Sequence, residues 1–421
     1  MLYKLRHKII DNLLLLMLVL STGGLLFVFN RNICYGVFIA FLLIAFIPFG
    51  KQLNKNIFNA SFLALSTVVI LFIINYIFAI TEQSNNKYAY YVMVVIISVL
   101  TLTHFLNNRH EHILVDRLHF VLKLVMIHSL FNFVAYFFIK GELINITSTY
   151  HESNTFKYLF FYSSKEYGLL SLYGIEFHRN SGLFWESGIL QVFLNMFFFL
   201  EAFIIRKNKL LLGITAIVLL TTYSTTGIAL LLIQVGFYIV QEIRTNKILI
   251  PIVLLFLLPT YIVFSVNIEE KVYGEKESSF QKRLFDLTQP FFIALENPLT
   301  GIGLDIEQFQ KIREEFYFSS TILQELQDKI GVQSKIEVTS KGSSNSVMFL
   351  LAAMGFPTTL LFLSMLFKQK VIIHKKRLWV FIMLISIISE PLLLRPFFFF
   401  FICSGFINLF CKITMHKREL S

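Results

Sequence analysis

The chain has 421 residues, of which 56% are hydrophobic and only 15% charged, with a formal net charge of +11. Soluble domains carry about 45–50% apolar and about 25% charged residues, so this balance excludes an ordinary water-soluble protein. The basic residues are spread over the gaps between apolar runs rather than gathered on one segment, so they set membrane orientation and no nucleic-acid partner is expected.

The apolar residues, 48 of them Phe, come in blocks close to the ~20 residues that cross a bilayer as a helix. About twelve spans are expected, near 11–29, 33–50, 57–80, 89–106, 118–139, 184–205, 209–223, 225–241, 248–265, 345–367, 378–391 and 396–411. The first follows Lys4, Arg6 and Lys8 and reads as an uncleaved span, since more spans follow at once. With the N-terminus in the cytoplasm, the cytoplasmic loops hold Lys51 and Lys55, Arg109 and Arg117, Arg206 to Lys209, Arg244 and Lys247, Lys368 to Arg377, and Lys412 to Arg418. The short external loops hold only Arg31, Lys87 and Arg395. This alternation puts both termini in the cytoplasm. The expected fold class is all-α, a polytopic transmembrane helix bundle forming one domain over 1–421.

Two external segments are long. The first, 140–181, is rich in Tyr and Phe and is expected to lie against the membrane or the bundle. The second, 267–344, holds 13 acidic and 9 basic residues, so it is net negative. It forms an external subdomain, with short helices expected at 307–316 and 321–330.

Metal chemistry finds no support. Cys34, Cys403 and Cys411 fall in or beside apolar runs with no CxxC pair, and the ten histidines show no HExxH spacing. No nucleophile elbow or Ser-His-Asp pattern appears, and no cofactor is implied.

Four polar constellations remain. His178-Arg179-Asn180-Ser181-Gly182-Leu183-Phe184-Trp185-Glu186-Ser187-Gly188 stands where the first long loop meets the sixth span. Arg fits a phosphate or diphosphate in a bidentate way, and a carboxylate can act as general base or hold a sugar hydroxyl. The plain alternative makes Arg179 an interface anchor and Glu186 a cap at the positive end of a helix. In the second loop, Arg283 precedes Asn297-Pro298-Leu299-Thr300-Gly301-Ile302-Gly303-Leu304. Its glycines allow either close approach to a ligand or a turn that dips back to the bundle. Ser343-Ser344-Asn345-Ser346, followed by an apolar run to Gly355-Phe356-Pro357, marks re-entry into the membrane and suits a helix cap. Ser224-Thr225-Thr226-Gly227 forms a small-residue hairpin turn. Beyond these, Glu390 and Arg395 suit a salt bridge pinning the last turn, and Glu201 suits a pair with Arg206.

The order of these motifs resembles the O-antigen polymerase (Wzy) and O-antigen ligase superfamily of bacterial envelope enzymes. The motif resemblance runs from Arg179 to Pro357, and the span layout extends it over the whole chain. The family's Glu-Pro-Gly has Ser187 in place of proline here. Ligases of the family carry a His in the large external loop, often just before an Asn. This chain has none from Asn267 to Ser344, and Ser344 stands before Asn345. The resemblance therefore implies a polymerase in the cytoplasmic membrane. It would transfer an undecaprenyl-diphosphate-linked glycan onto another lipid-linked repeat unit, with no metal or cofactor. A ligase and a transporter are the alternatives. On that reading Arg179 and Arg283 meet the diphosphate and Glu186 serves the acceptor. His178, Gly182, Gly301, Gly303, Ser344 and Asn345 are expected among the substrate-binding residues. Membrane lipid and a chain-length regulator are the further expected partners.

Overall fold

The structure, a computed structural model, describes residues 2–46, 54–107, 111–147, 152–156, 161–164, 170–172, 175–205, 208–242, 261, 265, 277–319 and 343–419. Among them are fourteen α-helices. These are α1 (Leu2–Leu20), α2 (Leu25–Phe29), α3 (Arg31–Phe46), α4 (Lys55–Phe78), α5 (Asn85–Asn107), α6 (Glu111–Ile139) and α7 (Ser187–Phe199). Then follow α8 (Lys209–Thr221), α9 (Thr225–Glu242), α10 (Glu277–Glu296), α11 (Ile306–Ser319), α12 (Ser346–Lys368), α13 (Lys376–Ser389) and α14 (Pro396–Glu419). Asn side chains start three of them. Asn54, Asn208 and Asn345 each accept backbone N–H bonds from the first turn of α4, α8 and α12, filling the role of an N-cap.

By length and composition six described helical segments can cross a membrane: Lys55–Phe78, Asn85–Asn107, Ile113–Glu142, Ser187–Ile205, Ser346–Lys368 and Pro396–Ile413. Arg31–Phe46, Lys209–Thr221 and Thr225–Gln241 are shorter apolar helices. The span expected near 248–265 lies outside the described residues but for 261 and 265, and the helix expected at 321–330 lies outside them altogether. The span expected at 11–29 is not one helix: α1 stops at Leu20, and residues 21–24 turn before α2. Gly23 takes φ +128 there, a conformation that breaks helix and favours Gly.

The fold is mostly helical, and the long 140–181 segment adds strands that the apolar pattern did not announce. β1 (Ile144–Thr147), β2 (Glu152–Phe156) and β3 (Phe161–Ser164) form an antiparallel sheet, and β4 (Leu170–Leu172) pairs with β5 (Ile175–Phe177). Short Tyr- and Phe-rich runs suit strands as well as membrane-facing loops; that ambiguity explains the miss. The expected helix at 307–316 is α11.

The chain divides into two compact units, interleaved in sequence. The first comprises Met1–Ile47, His110–Glu270 and Ile372–Ser386. Its α7 packs on α6, α8 and α9, and every residue from Ser187 to Phe199 is buried. The second comprises Pro48–Arg109, Lys271–Val371 and Ile387–Ser421. Its α14 packs on α12, α4 and α5. Phe397 to Phe401 are all buried, as expected of a helix that is apolar on every side. Phe72, Phe362 and Phe399 meet edge to face with centroids 5.7–6.4 Å apart. Lipid is as apolar as these side chains, so close packing and interhelical hydrogen bonds hold the helices together. Thr103 donates to the Ser61 hydroxyl at 2.8 Å, and Ser98 to the Pro396 carbonyl at 3.0 Å.

Candidate functional site

In the first unit the Arg179–Glu186 turn is fixed from three sides. The Asn180 amide donates to the Ser129 carbonyl of α6 at 2.9 Å and to the Thr221 hydroxyl of α8 at 3.0 Å. The Asn180 side-chain oxygen accepts from the Gly182 N–H at 3.1 Å. The break between α1 and α2 supplies the third side. The Leu25 N–H donates to the Leu183 carbonyl at 2.9 Å, and the Trp185 N–H to the Gly23 carbonyl at 3.3 Å. Phe184, fully buried, stacks on Phe193 at 4.9 Å. Gly182 sits at φ +56, and a Cβ there would lie 2.5 Å from the Ser129 hydroxyl, so both backbone and space require glycine.

On this frame Arg179 is half-buried, and its Nε donates to the Thr222 carbonyl at 3.0 Å. That carbonyl lies in the turn between α8 and α9, two residues before the Ser-Thr-Thr-Gly motif, so this turn serves as the seat of the arginine. His178 meets Tyr136 edge to face at 5.6 Å. Glu186 occupies the N-cap position of α7, but its side chain makes no capping hydrogen bond. Its carboxylate thus stands half-buried at the positive end of a helix without a capping hydrogen bond. One step inward, α7 carries a buried polar file. Asn195 donates to the Gln191 side chain at 3.0 Å and to the Gly227 carbonyl at 3.2 Å, and Gln234 of α9 donates to Asn195 at 2.8 Å.

At the far end of the same span, Leu200–Ile205 widens into a π-helix. Glu201, 1% exposed, binds His119 at 2.6 Å and accepts from the Asn208 N–H at 2.7 Å. The expected partner Arg206 lies outside the described residues, and His119 is the partner seen.

In the second unit the Pro298–Leu304 loop lies along a break in α12. Gly355 has φ 76 and ψ 173, and Pro357 follows. The Phe356 N–H turns to the Pro298 carbonyl at 2.8 Å, while Ile302 and Gly303 donate to the Ala352 and Ala353 carbonyls at 2.9 Å each. Side chains from α4, α5 and their connection complete the seat. Asn75 donates to the Thr300 carbonyl at 2.6 Å, Thr81 to the Ile302 carbonyl at 2.7 Å, and Gln83 accepts from the Asp305 N–H at 3.0 Å. A Cβ on Gly301 would strike the Ala352 carbonyl, and one on Gly303 the Gln83 amide. Gly301 therefore serves close backbone approach to α12, and Gly303 leaves room for the Gln83 side chain. This is the loop dipping back to the bundle that the sequence offered as the plainer reading.

Asn345 caps α12, its oxygen accepting from Val347 and Met348 at 3.1 Å each. Ser344 donates both its N–H, at 2.8 Å, and its hydroxyl, at 2.6 Å, to one oxygen of Asp286. Arg313 approaches the other oxygen at 3.2 Å, and its Nε donates to Gln289 at 2.9 Å. Its guanidinium also stands over the Phe309 ring, 5.4 Å from the centroid. Asp286 is fully buried. Burial lowers the Arg313 pKa, and the Asp286 carboxylate works against that shift. Arg283, one turn before Asp286 on α10, is exposed. Sequence reading missed the Asp286–Arg313 pair because a charged residue in a mixed-charge loop normally points to water. The apolar neighbours Phe309 and Phe349, in contact at 4.9 Å, were its one sequence signal. Among the described residues no group of His, Cys, Asp and Glu could hold a metal.

Long apolar helices in both units define a multi-pass membrane protein. Residues 210–363 match the family model described as O-antigen ligase, which supports the O-antigen polymerase and ligase superfamily. The match takes in the Ser224–Gly227 turn, Arg283, the Pro298–Leu304 loop and the Ser344-Asn345 cap, and it begins after Arg179 and Glu186. No curated protein matches the chain.

Proposed function

We propose that the protein is a polysaccharide polymerase of the bacterial cytoplasmic membrane. It transfers an undecaprenyl-diphosphate-linked glycan onto the terminal sugar of another lipid-linked repeat unit outside the cytoplasm. The observation that carries this choice within the superfamily is Ser344 standing before Asn345, where the ligases often have His. The Ser344 hydroxyl is bound to Asp286.

In this reading the glycosidic carbon of the donor is attacked by an acceptor hydroxyl, the carbon–oxygen bond to the diphosphate breaks, and undecaprenyl diphosphate leaves. Arg179 and Arg283 each offer a guanidinium to the negative charge that grows on the leaving diphosphate. Glu186 takes the acceptor's proton or holds its sugar. His178, Gly182, Gly301, Gly303, Ser344 and Asn345 shape the substrate path, the glycines and Asn345 by holding backbone rather than by contact. A chain-length regulator is the proposed protein partner. Because Glu186 caps nothing with its side chain, its carboxylate is available for this work.

The test is a gel of the surface polysaccharide from a strain lacking the gene. A ladder collapsed to a single repeat on its normal acceptor supports the polymerase. Full-length polymer stranded on the lipid carrier means a ligase instead. An unchanged ladder rejects both and favours a transporter.

A further inference from the structure

A cavity of about 560 Å³ in the first unit lies away from the Arg179 turn, beside the π-helical end of the α7 span. Phe203, Ile233, Phe237 and Phe381 give it apolar walls, and Lys375, Lys376 and Arg377 stand at its margin. Among the described residues no acidic side chain lines it. Two further features point to an anion with a polar head. Lys376 and Arg377 begin α13, which has no acidic residue in its first turn. Their charges therefore add to the positive end of the helix instead of opposing it, and such a helix start favours an anion. Gln241 also lines the cavity, and its side-chain oxygen is buried with no hydrogen-bond partner among the described residues.

We propose that this cavity binds an anionic phospholipid, with an acyl chain against Phe203, Phe237 and Phe381, the phosphate on Lys375 and Arg377, and a headgroup hydroxyl donating to Gln241. The charge sets the choice of occupant. Three cations around an apolar hollow favour a lipid with a net negative head over a zwitterionic one, and a buried amide acceptor favours a head that carries hydroxyls. Phosphatidylglycerol meets both conditions.

The experiment uses the full chain purified in detergent, with bound lipid counted by native mass spectrometry. Dioleoyl phosphatidylglycerol is titrated against dioleoyl phosphatidylethanolamine, which has the same tails. The expected result is a preference for phosphatidylglycerol on the order of tenfold, lost in the Lys375→Ala/Arg377→Ala double variant and unaffected by millimolar inorganic phosphate. Ile233→Trp, which fills the cavity and leaves the cations, should also remove the tightly bound lipid; it serves as the test if the double variant fails to fold. Equal retention of both lipids overturns the proposal. So does a preference that survives both variants, and so does displacement by inorganic phosphate, which would make the site one for the free anion.

Discussion

The Gly303 N–H donates to the Ala353 carbonyl at 2.9 Å, an acceptor that α12 leaves open because Pro357, four residues on, has no N–H to give it. The Ala352 carbonyl is open for a related reason, since the Phe356 N–H has turned to Pro298, and Ile302 fills it. A broken helix among apolar neighbours must have its freed backbone groups satisfied by protein. The Pro-Leu-Thr-Gly-Ile-Gly loop is what satisfies them, so loop and break form one structural element.

Gly355→Ala should therefore unfold this element. Gly355 lies in a backbone region that is nearly glycine-only and costs a side chain about 1–3 kcal/mol, and a Cβ there would strike the Leu299 carbonyl. A drop in the thermal midpoint of the detergent-purified protein is expected. Gly36→Ala, where a Cβ meets nothing within 4 Å, should leave it unchanged. Equal midpoints for the two variants would reject the account.

Asp286→Ala should be worse than the double change Asp286→Ala/Arg313→Met. The single change strands a largely buried guanidinium and two donors of Ser344, and breaking a buried pair from one side costs about 3–5 kcal/mol. The double change removes the stranded charge as well. Limited proteolysis of the 267–344 segment reads the difference. Faster cleavage of the double than of the single variant would show that the pair does not pin this loop.

Much of this was legible in the sequence, for a physical reason. Apolar blocks of bilayer length leave a helix few alternatives, so α4, α5 and α12 fall close to their expected limits and α14 starts where expected but runs on to Glu419. Asn345 before an apolar run announced a cap. The sequence could not tell the β1–β3 sheet from a membrane-facing loop, since both favour Tyr and Phe. Nor could it reveal that Asp286 is buried while Arg283, one turn away, is exposed, because that depends on contacts with α11 and Ser344 made across about 25–60 positions of chain. Nor could it announce that Glu201 binds His119, 82 positions away in the chain.

Arg179→Lys and Arg179→Ala should separate charge from shape. The arginine spends its Nε on the Thr222 carbonyl, so it is oriented by the turn between α8 and α9. Lysine keeps the charge but not the planar fork. On the proposed reaction, polymer length on the surface-polysaccharide gel should shorten in the Lys variant and collapse in the Ala variant, at equal amounts of folded protein. Full-length polymer from Arg179→Ala would remove the residue from the reaction and leave it an anchor.

Glu186→Gln makes the sharpest test of a role in catalysis. A carboxylate at a helix start ordinarily stabilises the helix through its dipole by about 0.3–1 kcal/mol. Glu186, at the head of α7, makes no side-chain capping bond, so the loss of folded stability should fall within that range. A positioned general base contributes about 10²–10⁴ in rate, and glutamine of the same size cannot accept the proton. The variant should therefore fold with a nearly unchanged thermal midpoint while polymer falls at least a hundredfold. It should also be insensitive to raising the pH, which restores no base at this position. A variant that loses stability and polymer together would make Glu186 a structural group. One that keeps both would move acceptor activation to another carboxylate.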